Sequence, residues 1–99
     1  MIRHTVVFKL KHAIGSPAEL NFLQTGKQLA DIPTVRNFEC LRQISKKNDF
    51  TYGFSMEFDS NDDYQNYNEH PFHLEFVETR WIPEVEDFME IDYEPYTAD

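Results

Sequence analysis

The first ten residues alternate. Ile2, His4, Val6, Phe8 and Leu10 share one parity and Arg3, Thr5, Val7, Lys9 and Lys11 the other, which predicts a strand with one buried face. Beyond a turn at Gly15, Ser16-Pro17-Ala18-Glu19 supplies an N-cap, a proline at the first helical position and a glutamate for a capping box. Phe22, Leu23, Gly26, Leu29 and Ala30 then recur at helical spacing until Pro33 closes the segment. Residues 34–44 read as a second strand whose imperfect alternation suggests a bulge. After a polar loop, residues 50–58 set Phe50, Tyr52, Phe54, Met56 and Phe58 against Thr51, Gly53, Ser55 and Glu57. Ser60 caps a short acidic helix, with Asp62 and Asp63 in its first turn and Tyr64 and Tyr67 one turn apart. Pro71 breaks that helix after His70 and opens another, with Leu74, Val77 and Trp81 as its apolar stripe and Pro83 at its end. Residues 85–93 alternate again: Val85, Met89, Ile91 and Tyr93 on one face, Glu86, Phe88, Glu90 and Asp92 on the other.

The order β-α-β-β-α-β predicts an α+β, ferredoxin-like sandwich spanning residues 1–99 as one domain, its second helix broken at Pro71. Two right-handed crossovers place the strands at 1–10 and 50–58 in the centre of a four-stranded antiparallel sheet, with the helices on one face. No helix remains to cover the other face. A second copy of the sheet is the simplest cover, so the pattern predicts a homodimer.

The chain of 99 residues is 40% hydrophobic and 15% aromatic, which excludes a disordered segment. Its formal charge is −9, and nucleic acid and anionic membranes are poor partners for an acidic surface. The charge divides unevenly: eight of the nine bases lie in residues 1–50, and fourteen of the eighteen acids lie beyond them. Pairing of the two halves across one fold is the simplest account. Cys40 stands alone, so no internal disulfide forms and a reducing, cytoplasmic location is expected. The longest apolar run near the start, Val6-Val7-Phe8, is too short for a signal core or a membrane span. Three isolated glycines cannot build a phosphate-cradling loop or a dinucleotide fingerprint, and neither a G-x-S-x-G elbow nor a C-x-x-C pair is present.

His4 is the first chemical oddity, a titratable ring on an apolar strand face. If the helices cover that face, His4, Tyr52, Tyr67 and His73 converge on one space lined otherwise by Phe8, Phe54, Met56, Leu74 and Val77. An apolar pocket with a few convergent polar groups is the form a ligand site takes. The competing reading keeps His4 as a hydrogen-bonded core residue, the tyrosines as core aromatics and His70 as a cap before Pro71. A metal at His70-x-x-His73 lacks an obvious third ligand, and the proline turns the chain between the two. Cys40 reads as a buried apolar residue and the acidic stretch Glu84 to Glu94 as a solvated strand face. No metal or organic cofactor is required by anything in the pattern.

Ile2-Arg3-His4-Thr5-Val6-Val7-Phe8-Lys9-Leu10 and Tyr67-x-x-His70-Pro71-x-His73 together resemble the stress-responsive A/B barrel (Dabb) family over nearly the whole chain. The resemblance implies a dimeric α+β barrel closed by two facing sheets. By likeness to a plant polyketide cyclase of that family, which performs an intramolecular aldol condensation, it implies His73 as general base, Tyr67 as its partner and His4 in the pocket. That enzyme has a further pocket histidine where this chain has Tyr52. The chemistry expected is abstraction of a proton next to a carbonyl by a neutral His73 hydrogen-bonded to Tyr67, on a small apolar or aromatic compound. A non-catalytic stress or structural barrel is the alternative, and a cofactor-independent monooxygenase, sharing the barrel but not the HP-x-H block, is the third.

Overall fold

A computed structural model describes residues 1–97; positions 98 and 99, the end of the expected domain, lie outside the described residues. Strand β1 (Ile2–Leu10) leads to helix α1 (Pro17–Lys27), which tightens into a 3₁₀ turn at Gln28–Asp31 before β2 (Arg36–Arg42). Strand β3 (Tyr52–Phe58) precedes α2 (Asn61–Glu69) and α3 (Pro71–Phe76). A π-helical turn at Val77–Trp81 and a short α4 (Ile82–Glu84) then feed β4 (Val85–Tyr93). The sheet order is β2-β3-β1-β4, every neighbour antiparallel, so β1 and β3 are central and the fold is ferredoxin-like.

Local chemistry sets the helix ends. Ser16 Oγ accepts the Glu19 amide, while the Glu19 carboxylate takes the amide of Gly15 rather than that of Ser16. Ser60 accepts the Asp63 amide at the start of α2. His70 is extended and its Nδ1 accepts the Phe72 amide, so this ring caps α3 immediately before Pro71. The helices lie on the face carrying Phe8, Phe54, Met56 and Phe58, and the buried cluster is mainly aromatic. Phe8 stands 4.8 Å from Phe54 and 4.9 Å from Trp81 between ring centroids. Helix α1 comes close enough that a Cβ at Gly26 would stand 2.5 Å from Phe54 Cζ, so glycine here is a packing requirement. Arg80 ties the helical layer together, donating to Glu84, Thr25 and Asn21, and His12 shares Glu84.

Two strands carry a bulge. In β2 the register shifts between Arg36 and Glu39, where Asn37 adopts φ +51°, in keeping with the imperfect alternation of that segment. In β4, Leu10 opposes Val85 but Lys9 opposes Asp87, which leaves Glu86 as an extra residue. The second bulge corrects the face assignment of β4. Val85 looks toward the helices with Leu10, and past the bulge the inward positions are Phe88, Glu90 and Asp92, opposite Phe8, Val6 and His4. Met89, Ile91 and Tyr93 face away from the helices with Val7, Thr5 and Arg3, and remain exposed at 48%, 37% and 54%.

Candidate functional site

His4 sits mid-strand on β1, opposite Met56 on one side and Asp92 on the other. It is 5% exposed. Its Nδ1 lies 2.6 Å from Asp92 Oδ1, so this nitrogen donates to the carboxylate and Nε2 is left free of that contact. Tyr64, on α2, donates its hydroxyl to Asp92 Oδ2 at 2.8 Å and touches His4 Nδ1 at the same distance. The Tyr64 ring stacks on Phe58, which fixes the approach of that hydroxyl. Burial, and then the neighbouring Asp92 carboxylate, push the Tyr64 hydroxyl well above the ordinary tyrosine range, so it stays a donor.

His73 is placed by the break at Pro71. With α2 ended at Glu69, the carbonyl of Asn68 has no helical partner, and His73 Nδ1 donates to it at 3.0 Å. Its Nε2 is left as the basic nitrogen. Burial lowers the His73 pKa, outweighing the opposing pull of the Asn68 carbonyl, so the neutral imidazole is the favoured form near neutrality. The Tyr67 ring lies 4.4 Å from His73 and 6.2 Å from His4 between centroids. The expected hydrogen bond between His73 and Tyr67 is not made: ring contact joins them, and the imidazole N–H goes to the backbone instead. The Tyr67 hydroxyl has no hydrogen bond to any described residue. Burial raises its pKa strongly, which keeps its proton available for donation.

These side chains surround a hollow of about 310 Å³ between the helical layer and the sheet. The π-helical turn, with its i→i+5 spacing, puts Val77, Trp81 and Ile82 along one wall beside Phe76. Of the residues singled out in the sequence, His4, Phe54, Met56, Tyr67, His73 and Val77 line the hollow. Phe8, Tyr52 and Leu74 do not. Phe8 is fully buried under Phe22, Phe54 and Trp81, in filled core. Tyr52 opposes Phe8, further along β1 from His4; burial, and then the nearby Glu19 carboxylate, push its hydroxyl up to about 12. Leu74 is 54% exposed, because α3 turns His73 and Phe76 inward and position 74 outward. His70 is committed to capping. Among the described residues no group of three His, Cys, Asp or Glu side chains converges to hold a metal ion.

The pattern of the chain missed Asp92, Tyr64, Asn68, Phe88 and Glu90. The acidic stretch from Glu84 to Glu94 is not wholly a solvated face: Asp92 holds His4, and Glu90 lines the hollow with Phe88. The available signal was the shared parity of Phe88, Glu90 and Asp92; unbroken alternation from Val85 assigned it to the wrong side. A larger groove of about 470 Å³ runs between α1 and α3, sharing Leu29 and Phe76 as a common wall. It holds no histidine or tyrosine, and its guanidinium, Arg80, is already engaged by Glu84. The smaller hollow is the one equipped for chemistry: two imidazoles presenting Nε2 and a protonated hydroxyl, in apolar surroundings. Such a set can remove a proton next to a carbonyl and hydrogen-bond the oxyanion that forms.

Residues 2–95 match the family described as the Stress responsive A/B Barrel Domain. Among curated proteins, the chain is 27% identical over 95 residues to a stress-response A/B barrel domain-containing protein of Arabidopsis thaliana. That stretch is 94% of this chain and 36% of the Arabidopsis protein, so the chain spans about a third of its curated relative. Among solved structures, a Dabb family protein with a ferredoxin-like fold from Mesorhizobium loti is 56% identical, with a TM-score of 0.94 over 97% of each chain. A dimeric ferredoxin-like protein of unknown function from Bacteroides fragilis is 24% identical, with a TM-score of 0.71 over 94% of each. A hydroxynitrile lyase from Passiflora edulis is 20% identical, with a TM-score of 0.82 over 97% of this chain and 96% of its own. At those last two identities the likeness is one of fold. The match over residues 2–95, together with the 56% identity to the Mesorhizobium Dabb protein and its ferredoxin-like fold, shows the family: the chain belongs to the stress-responsive A/B barrel domain family.

Proposed function

We propose that this chain works as a homodimer whose hollow takes a small aromatic or apolar carbonyl compound and removes a proton from the carbon next to the carbonyl. His73 Nε2 is the base, and the Tyr67 hydroxyl donates to the oxygen of the resulting enolate. An enolate held this way reacts by making or breaking a carbon–carbon bond, the class of reaction a cyclase or lyase performs. The observation that carries the reading is His73 itself. Its N–H is fixed on a backbone carbonyl, burial favours its neutral form, and its free nitrogen belongs to a wall shared with Tyr67. The dissimilar Passiflora neighbour supports the reading only so far as a protein of this fold carries the name of a lyase.

The dimer is supported by the face away from the helices. Leu41, Met89, Ile91 and Tyr93 lie exposed there around Val7, a run of apolar surface that a second sheet would cover. The Bacteroides neighbour is described as dimeric. A reducing compartment such as the cytoplasm suits the single Cys40.

The test of chemistry is hydrogen–deuterium exchange at the methylene of phenylacetone in D₂O, followed by proton NMR. The chain should accelerate exchange over buffer, and His73→Gln should reduce that acceleration by roughly 10²- to 10⁴-fold, the usual contribution of a positioned base. Exchange no faster than in buffer, or unaltered in the variant, removes the catalytic reading. Light scattering that finds a monomer at micromolar concentration removes the dimer.

A further inference from the structure

Glu90 is an acid with apolar neighbours, Val6 and Phe88, on its strand face. On β4 it lies opposite Val6, on the strand face turned toward the helices, and it lines the hollow with Val6, Phe88, Tyr67 and His73. The other acid that β4 turns inward, Asp92, is saturated by His4 and Tyr64. Glu90 has no such partner: among the described residues its carboxylate makes neither an ion pair nor a hydrogen bond. It is also exposed, so it stands at the rim of the hollow rather than at its floor. Both oxygens are therefore available to a ligand. A carboxylate bordering an apolar cavity sets up a negative potential that the low-dielectric wall does not screen. That potential is already felt at Tyr67 and His73, where the Glu90 charge opposes loss of a proton.

From this arrangement we infer that Glu90 selects the ligand: the hollow takes a carbonyl compound whose far end carries an amine or another cationic hydrogen-bond donor, and rejects one ending in a carboxylate. The inference rests on the proposed carbonyl-binding role of the hollow and adds the class of substrate. The keto group lies toward His73 and Tyr67, the apolar body lies against Met56 and Phe54, and the cationic end meets Glu90 at the rim.

The test uses three phenylacetones of one shape, carrying para-methyl, para-aminomethyl and para-carboxylate groups. Each is titrated into the full chain while the His73 ring is followed by NMR. The aminomethyl compound should bind roughly three- to tenfold tighter than the methyl compound, and the carboxylate weaker by a similar factor, as for a partly solvated ion pair. Glu90→Gln should bring the three affinities together. Glu78→Gln, which removes the same charge from an exposed helical position, should leave the ranking intact and so exclude a general effect of the acidic chain. Equal affinities in the parent chain, or a ranking that survives Glu90→Gln, overturns the role of Glu90 while binding of the methyl compound still upholds the hollow as the site. If His73 responds to none of the three, the carbonyl-binding reading falls and the inference with it.

Discussion

Replacing Gly26 by alanine tests the packing that gives the hollow its shape. In an ordinary helix interior the exchange favours alanine by about 1 kcal/mol, through the backbone entropy glycine loses on folding. Here the added Cβ would stand 2.5 Å from Phe54 Cζ and 3.0 Å from Cε2. Ordinary contact requires the ring to retreat by about 1 Å. Phe54 is 2% exposed and already braced by Phe8 and Phe38, at 4.8 and 5.4 Å between centroids. The free volume open to it is the hollow it lines. Overpacking of this kind costs about 1–3 kcal/mol. Set against the helix gain, the net expectation is a destabilisation of about 1 kcal/mol, or a melting temperature lower by about 4–8 °C for a domain of this size. The hollow should shrink as well, weakening the response of His73 to phenylacetone. Urea unfolding followed by fluorescence of Trp81, the single tryptophan, measures the stability. In a Phe54→Leu background the same alanine should become stabilising, because the atoms it strikes are gone. A Gly26→Ala chain that is more stable than the parent by about 1 kcal/mol would refute the close approach of α1.

Asp92→Asn leaves His4 and Tyr64 competing for one amide oxygen; we expect a loss of about 1 kcal/mol, modest because the carboxylate is half exposed, and a changed His4 tautomer balance. Unchanged ¹⁵N shifts of the His4 ring would count against Asp92 as the group that orients it. The His73 titration should have its midpoint below the ordinary imidazole value of 6.5, as burial lowers its folded pKa. Because the unfolded chain binds the proton more readily, this group's contribution to stability is intact above pH 6.5 and is lost as pH falls through the folded pKa. A midpoint at or above 6.5, read from the imidazole resonances, would contradict the assigned burial. Tyr52→Phe and Leu74→Ala should both leave the His73 response to phenylacetone unchanged, since neither side chain lines the hollow. A loss of binding in either would restore that residue to the site.

Element order and sheet topology were legible because they rest on long-range periodicity and on punctuation by Ser16, Pro17, Ser60 and Pro71, which act locally. His4, Tyr67 and His73 were legible for a different reason: each is a polar ring at a position whose parity or helical phase points inward. Tyr52 satisfies the same rule and still falls outside. Parity places it on the correct face, but its distance along the strand from His4, opposite Phe8, is a fact of tertiary structure. Leu74 failed on helical phase. A six-residue helix followed by a π-helical turn does not hold a 3.6-residue period long enough for a stripe to be read from it. Asp92, Glu90 and Phe88 were hidden by one inserted residue, since an alternation carried straight through Glu86 assigns every later side chain to the opposite face.

That inserted residue also explains why the hollow exists. Without the bulge, the parity of Val85 would carry Met89, Ile91 and Tyr93 under the helices, beside Val6 and Phe54. Three large apolar side chains would then fill the space above His4 and complete an ordinary core. Asp92 would leave His4, stranding a buried imidazole without its carboxylate, and Glu90 would face away from the hollow. The bulge exchanges the two sets. It moves the carboxylates to the side where His4 and the hollow need them, and it moves the apolar side chains to the open face, where a second sheet needs them. The site and the expected dimer surface are thus two consequences of one irregularity in β4. Its closeness to Lys9, whose ammonium lies 3.4 Å from the Glu86 carboxylate, gives the extra residue an anchor in the neighbouring strand.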